Sequence, residues 1–245
     1  MEPADHIAAV RRESAAVVTA ARRGADAPVP SCPDWTVGDL VAHLGVAHRW
    51  ATANVREPAD QLVRGARHKW GIEATDPRLF EWFEEGAEEL ASVLQATDPD
   101  TPVATFGEPH AARFWGRRMA HESLVHRWDA ERAHGEPRPI DAELAADGID
   151  EGLYVFVPMA RQGSTVAGTG ERFHLHRTDG EGEWLVVVEG DGIRVSREHG
   201  KGDVAVRGRA ADLLLWLWHR VPPDDLEVFG DATLLDRWFD LVPPV

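Results

Sequence analysis

In the first half of the chain, apolar positions recur at helical spacing. Asp5 is placed to cap a helix running to about Arg23, with Ile7, Val10, Val17 and Ala21 on one side and Gly24 as its stop. The segment 25–35 carries Pro28, Pro30 and Pro33 and reads as a loop. Thr36 then opens a second helix, reaching about residue 54. Asp39 sits three residues after it as a variant of the capping box, and Trp35 and Leu40 are spaced as a hydrophobic staple. Asp76-Pro77 occupies the favoured N-cap and N1 positions of another helix, with Leu79, Phe80, Phe83, Leu90, Val93 and Leu94 on its face. A fourth long helix covers about 110–134 and ends at Gly135. Four such helices predict a bundle. The stretch 55–75 is poorly patterned and reads as a loop with a short helix near Trp70.

Gly135-Glu136-Pro137-Arg138-Pro139 interrupts this texture and predicts a boundary between a helical domain, 1–138, and a second domain, 139–245. A helix from Asp141 to about Phe156 is expected first. Phe173 to His176 and Trp184 to Val188 then read as strands joined by a turn at Asp179-Gly180-Glu181-Gly182. Gly192–Ser196, Val204–Val206 and Leu226–Phe229 are further strand candidates. Ala210–His219 and Ala232–Leu241 read as helices. The fold class expected is therefore α+β in two domains, a four-helix bundle followed by a small α+β domain.

Composition narrows the partners. The chain has 245 residues, with 26 Lys+Arg against 42 Asp+Glu, a net charge of -16. Such a surface repels nucleic acid and anionic membranes. No apolar run approaches the ~20 residues of a membrane span, and Met1 to Val10 carries neither a basic nor an apolar signal region. Cys32 is the single cysteine, which excludes an internal disulfide and suits a reducing cytoplasm. Ten Trp against one Tyr imply large aromatic packing units.

Candidate chemistry concentrates in Arg118–Ala130. As a helix this segment sets Glu122 and His126 one turn apart on the face that carries Trp115, Met119 and Ala133. Burying a carboxylate and an imidazole there is costly unless they pair, hydrogen-bond or bind a metal. Two readings are open: a structural Glu–His pair, or two ligands of a metal. His121 and His126 are five apart, about 140° around the helix, so they do not form the metalloprotease pair, which needs histidines four apart. The second helix offers a third ligand in His43 or His48, again about 140° apart. Periodicity favours His48, nearer the middle of the Val37, Leu40, Val41, Leu44 stripe. Two imidazoles, a carboxylate and an open fourth position make a catalytic-type site for Zn²⁺ or a similar ion.

Ser31-Cys32-Pro33-Asp34-Trp35-Thr36-Val37-Gly38-Asp39-Leu40-Val41-Ala42-His43-Leu44-Gly45, with Ala120-His121-Glu122-Ser123-Leu124-Val125-His126-Arg127-Trp128-Asp129-Ala130, resembles the mycothiol-dependent maleylpyruvate isomerase family of actinobacteria. The resemblance covers essentially the whole chain and implies a DinB-like four-helix bundle joined to a small α+β domain. It implies a divalent metal, usually zinc, held by His43, Glu122 and His126, so it points to His43 where periodicity points to His48. It also implies mycothiol as cofactor or co-substrate. An arginine of the C-terminal domain would hold an anionic group. Arg220 is the match, although His219 stands before it where a glycine is usual; Arg209 is a second candidate.

The chemistry implied is activation of a small thiol. Metal coordination stabilises the thiolate. In maleylpyruvate isomerisation the sulfur adds to a cis double bond, the carbon–carbon bond rotates, and elimination returns the thiol with the trans product. A thiol transferase would stop at the adduct. The alternatives kept open are a non-catalytic metal- or ligand-binding regulator of the same fold, and a metal-dependent hydrolase that needs no thiol. Of the remaining residues, Asp129 either orients a ligand imidazole or pairs with a basic residue of the bundle. Cys32 reads as structural, His174 and His176 as the solvent face of a strand, and Trp216 and Trp218 as packing.

Overall fold

The computed structural model describes residues 1–245 except 58–60, 164 and 243–245. The chain forms two compact units, Met1–Arg138 and Pro139–Val245.

In the first unit, helix α1 (Pro3–Ala21) starts with a reciprocal box between Glu2 and Asp5 rather than with Asp5 as the cap. Helix α2 (Val37–Arg56) starts as its sequence predicts: Thr36 Oγ1 accepts from the Asp39 N–H at 3.2 Å, and the Asp39 carboxylate accepts from the Thr36 N–H at 2.9 Å. A short helix α3 (Ala66–Trp70) follows, then α4 (Leu79–Ala96) and α5 (Ala112–Arg132). Helix α4 begins two residues later than Asp76-Pro77 suggests. The Asp76 carboxylate and carbonyl are spent on the Arg78 and Leu79 N–H groups, which makes a turn before the helix.

The four long helices pack pairwise, α1 on α4 and α5, and α2 on α4 and α5. Val17, Leu40, Val41, Leu44 and Phe83 are fully buried between them. Each such side chain contributes roughly 1.5–3 kcal/mol by leaving water. Two glycines permit the close approach of α2 and α4: a Cβ on Gly45 would lie 2.2 Å from the Trp82 ring, and one on Gly86 2.2 Å from the Arg49 guanidinium. The Arg49 guanidinium itself lies 3.8 Å over Trp82.

The proline-rich segment expected to be a loop contains an antiparallel ribbon, β1 (Pro28–Val29) with β2 (Cys32–Thr36). A two-stranded ribbon is all edge, so prolines that cannot donate to a ladder are tolerated. The Val37 and Gly38 N–H groups reach back to the Ala27 and Ala25 carbonyls at 2.9 and 2.7 Å, which fixes the ribbon to the start of α2.

The second unit opens with α6 (Ala142–Glu151), capped by Asp141 on the Leu144 N–H at 2.9 Å. The expected single helix continues through a π-helical turn (Gly152–Phe156) into α7 (Val157–Gly163). A five-stranded sheet follows: β3 (Gly168–Arg177), β4 (Glu183–Gly190), β5 (Gly192–Ser196), β6 (Val204–Gly208) and β7 (Glu227–Gly230), in the order β5-β4-β3-β6-β7. All neighbours are antiparallel except β3 and β6. Phe173, Leu175, Trp184, Val186, Val204 and Val206 face one way and are buried. Trp216 of α8 (Ala210–Leu217) and Trp238 of α9 (Leu234–Leu241) pack there, with Trp238 5.0 Å from the Phe173 ring. The Trp216 ring is thus core packing. After α8, His219 takes a left-handed backbone (φ 58°), the conformation in which glycine is cheapest.

Alternation correctly sets His174 and His176 opposite Phe173 and Leu175, but their face is not simply solvent. His174 is only 6% exposed. The loop after β5 folds over β4 at this point, where a Cβ on Gly200 would meet the Leu185 side chain at 2.7 Å.

Candidate metal centre

Helix α5 supplies most of the charged cluster. On a 100° wheel, Arg118, Glu122, His126 and Asp129 fall within an arc of about 80°. Glu122 and His126 meet as i,i+4 neighbours, with Oε1 3.3 Å from His126 Nε2. Helix α2 brings His43 to the same oxygen, with Nε2 3.2 Å from Glu122 Oε1. The three donor atoms lie within 4.8 Å of one another. Two donors about 2.0–2.1 Å from a tetrahedral zinc ion stand about 3.3 Å apart, so the two His–Glu spacings already suit a shared ion. The donor set of two imidazoles and one carboxylate fits a zinc-class cation.

The surrounding contacts point each group inward. Arg118 donates to Glu122 Oε2, which leaves Oε1 to the imidazoles. His126 Nδ1 lies 3.0 Å from Asp129 Oδ2, so its Nε2 is the nitrogen turned to Glu122. The Asp129 carboxylate is fully buried and accepts a 2.6 Å hydrogen bond from Ser31 Oγ of the ribbon. The Trp35 ring packs at 4.8 Å against His43, tilted by 48°, and lies 6.1 Å from His126. The indole thus covers the imidazoles, although its spacing from Leu40 suggested only a staple.

The electrostatics follow from these contacts. Burial alone would raise the Glu122 pKa, but the Arg118 charge and the hydrogen bonds of His126 and His43 hold it well below the usual carboxylate range. Burial alone would lower that of His126, but its hydrogen bonds to Asp129 and Glu122 carry it up to about 9. A cation is therefore strongly favoured between these two carboxylates. An imidazolium proton fills that role here, and a metal ion can replace it.

His48, which periodicity favours, is elsewhere. It is fully buried against Phe83, with ring centroids 5.3 Å apart, and its Nε2 lies 3.0 Å from Ser123 Oγ. Its central place in the apolar stripe carries it into the core, where burial pushes its pKa down to about 3. His43, at the border of the stripe, keeps 44% of its side chain exposed and stands where a ligand could enter.

A model of the mycothiol maleylpyruvate isomerase N-terminal domain matches residues 7–131, and one of the MDMPI C-terminal domain matches residues 143–237. The chain belongs to the mycothiol-dependent maleylpyruvate isomerase family. Among solved structures, it is similar to a mycothiol-dependent maleylpyruvate isomerase at 14% identity, with 95% of each chain covered and a TM-score of 0.67. A histidine-to-alanine mutant of a mycothiol-dependent maleylpyruvate isomerase gives 15% identity, the same coverage and the same score. At these identities the likeness is one of fold. No curated protein matches the chain in a sequence comparison.

Within this member of the maleylpyruvate isomerase family the other singled-out residues divide clearly. Arg220 lies in the second unit, just after α8, where its guanidinium donates to the Trp218 carbonyl at 2.8 Å. Arg209, at the N-cap of α8, is largely exposed and approaches Asp179 at 3.8 Å. Cys32 is half-buried on β2 against the helical core, which agrees with its structural reading. Of Asp129's two readings, the geometry favours the partner of His126. Ser31 and Arg118 have no assigned role in the sequence, and Trp35 reads there only as half of a staple. The i,i+4 spacing of Arg118 and Glu122 was the available signal for one of them; for Ser31 only the fold brings β2's turn to α5.

Among the described residues no helix is long and apolar enough to cross a membrane.

Proposed function

We propose that the chain is a metal-dependent enzyme that uses a low-molecular-weight thiol, mycothiol, on a small electrophile, with cis–trans isomerisation of the maleylpyruvate type as its reaction class. The observation that carries this reading is the convergence of His43, Glu122 and His126 on one point, in a chain that matches both domain models of the family. These three residues would hold a divalent ion, zinc foremost. When bound, such an ion supplies a Lewis acid that keeps a thiol as thiolate at neutral pH.

The chain's own groups do the rest. Arg118 fixes the Glu122 carboxylate. Asp129, braced by Ser31, holds the His126 ring in one orientation and fixes its tautomer. Trp35 limits the freedom of the His43 ring. Arg220 is the cation proposed to hold the carboxylate of an anionic substrate, by resemblance in sequence.

The test is elemental mass spectrometry on untagged protein, wild type against Glu122→Ala, followed by calorimetric titration of mycothiol into metal-loaded and chelated protein. About one ion per chain lost in the variant, with thiol binding only when metal is present, supports the reading. A metal content unchanged by Glu122→Ala removes the site. A metal site without thiol affinity favours a non-catalytic binding protein.

A further inference from the structure

The second unit gathers three imidazoles around one carboxylate, and the proposed thiol chemistry uses none of them. Strands β3 and β4 pair with His176 directly opposite Glu183 and His174 opposite Leu185, so His174, His176 and Glu183 share one face of the sheet. The loop after β5 brings His199 to the same place. His199 Nδ1 lies 2.7 Å and His174 Nε2 3.2 Å from Glu183 Oε2, while His176 Nδ1 lies 2.9 Å from the other oxygen, Oε1.

The arrangement is held from several directions. His174 is nearly buried, and the loop carrying His199 is tied down at its far end: the Asp203 carboxylate accepts from the Arg172 N–H at 2.9 Å, and the Lys201 carbonyl accepts from Arg172 Nε at 3.0 Å. The donor atoms of His174, Glu183 and His199 lie within 4.8 Å of one another, the same closeness as in the first site. The nearby positive charge of Arg197 is neutralised by Asp150 and does not oppose a second cation. A cleft of about 210 Å³ opens beside Glu183 and His199, with room for water to complete a coordination shell.

A single carboxylate can balance only one imidazolium, so three imidazoles are more than an ion pair requires. Two of them address the same oxygen from a buried strand and from a loop. This is a ligand set of two neutral nitrogens and one anionic oxygen, the chemistry that selects zinc-class ions over magnesium or calcium. We propose that His174, Glu183 and His199 form a second divalent-cation site, for zinc or an ion of its class, with His176 positioning the Glu183 carboxylate through Oε1. The ion pins the 197–203 loop to the sheet, and water from the cleft takes the remaining position.

The site is independent of the thiol site, and its test keeps the two apart. Full-length protein stripped of metal is titrated with zinc in competition with a chromophoric chelator, in a Glu122→Ala background, with and without His199→Ala or Glu183→Gln. His199 has 82% of its side chain exposed and Glu183→Gln preserves size, so both variants keep the fold; equal melting temperatures without zinc check this. Zinc affinity is expected to fall at least tenfold in each. A smaller loss in either variant overturns the second site. If Glu122→Ala itself leaves the wild-type isotherm unchanged while His199→Ala still weakens binding, the thiol-site reading fails and this one stands.

Discussion

Asp129→Asn isolates the electrostatic part of the candidate centre. Asp129 is fully buried, with one oxygen 3.0 Å from His126 Nδ1 and the other accepting from Ser31 Oγ at 2.6 Å. Asparagine has the same shape. Its carbonyl can still accept the Nδ1–H, provided its amide N–H group turns to Ser31, whose hydroxyl can accept instead of donating. The substitution therefore keeps the ring's orientation and removes the buried charge that makes Nε2 a strong donor. Loss of such a partner typically costs 10–100-fold in metal affinity, which is about 1.4–2.7 kcal/mol. The assay is zinc competition against a chromophoric chelator at pH 7.5, with circular dichroism to confirm an unchanged fold. Ser31→Ala should weaken binding less, because it acts through Asp129 rather than on the imidazole. A folded Asp129→Asn protein whose zinc affinity stays within twofold of wild type refutes the reasoning. The His126–Asp129 contact would then be only a means of burying two charges.

Other outcomes follow from the same packing. Arg127→Met should destabilise the first unit by about 1–3 kcal/mol in urea unfolding, because Glu13 and Glu131, both nearly buried, lose the Arg127 hydrogen bonds at 2.8–2.9 Å and keep only Arg12 and Arg138; it should leave metal content unchanged. His48 is neutral in the fold, with a pKa near 3, and ordinary when unfolded, near 6.5. Its contribution to stability is thus complete above pH 6.5 and is lost as pH falls from there toward 3. Between pH 7.5 and 4.5 chelated wild type should lose about 2.7 kcal/mol more than chelated His48→Gln, and equal losses in the two proteins would show that His48 does not carry that term. Removal of zinc by a chelator should lower the melting temperature of wild type more than that of Glu122→Ala.

The long helices, the Thr36–Asp39 box and the five strands of the second unit were readable because each rests on local rules: period, caps and turns. The misplaced details share another cause. The 25–35 ribbon was hidden because three prolines read as a loop, and only its pairing to the start of α2 reveals strands. Periodicity favours His48, but the fold sets His43 beside Glu122, since a centred polar residue on an apolar stripe is the one most deeply buried. The stripe's border, where His43 stands, leaves part of the ring open to solvent. Ser31 and His199 are long-range cases. Each reaches its partners through a loop whose course is set by packing elsewhere, which no local pattern encodes.

The spacing of charges along α5 separates two tasks within one run of sequence. Arg118, Glu122, His126 and Asp129 share one arc, while Arg127 and Glu131 lie about 140° or more away from Glu122. On that second face Arg127 meets Glu13 of α1 and the Arg138 carbonyl, so every charge has a partner from the chain itself. On the first face Arg118 answers Glu122, and the imidazolium of His126 answers Asp129. Two carboxylates surround a single imidazole, and that imidazole and the half-exposed His43 both address one oxygen. A motif built only for stability could have spent these positions on apolar residues, since replacing a buried ion pair by well-packed hydrophobic side chains is often neutral or favourable. The first face is therefore the part of α5 on which the proposed metal site would stand, and the second ties the helix to its neighbours.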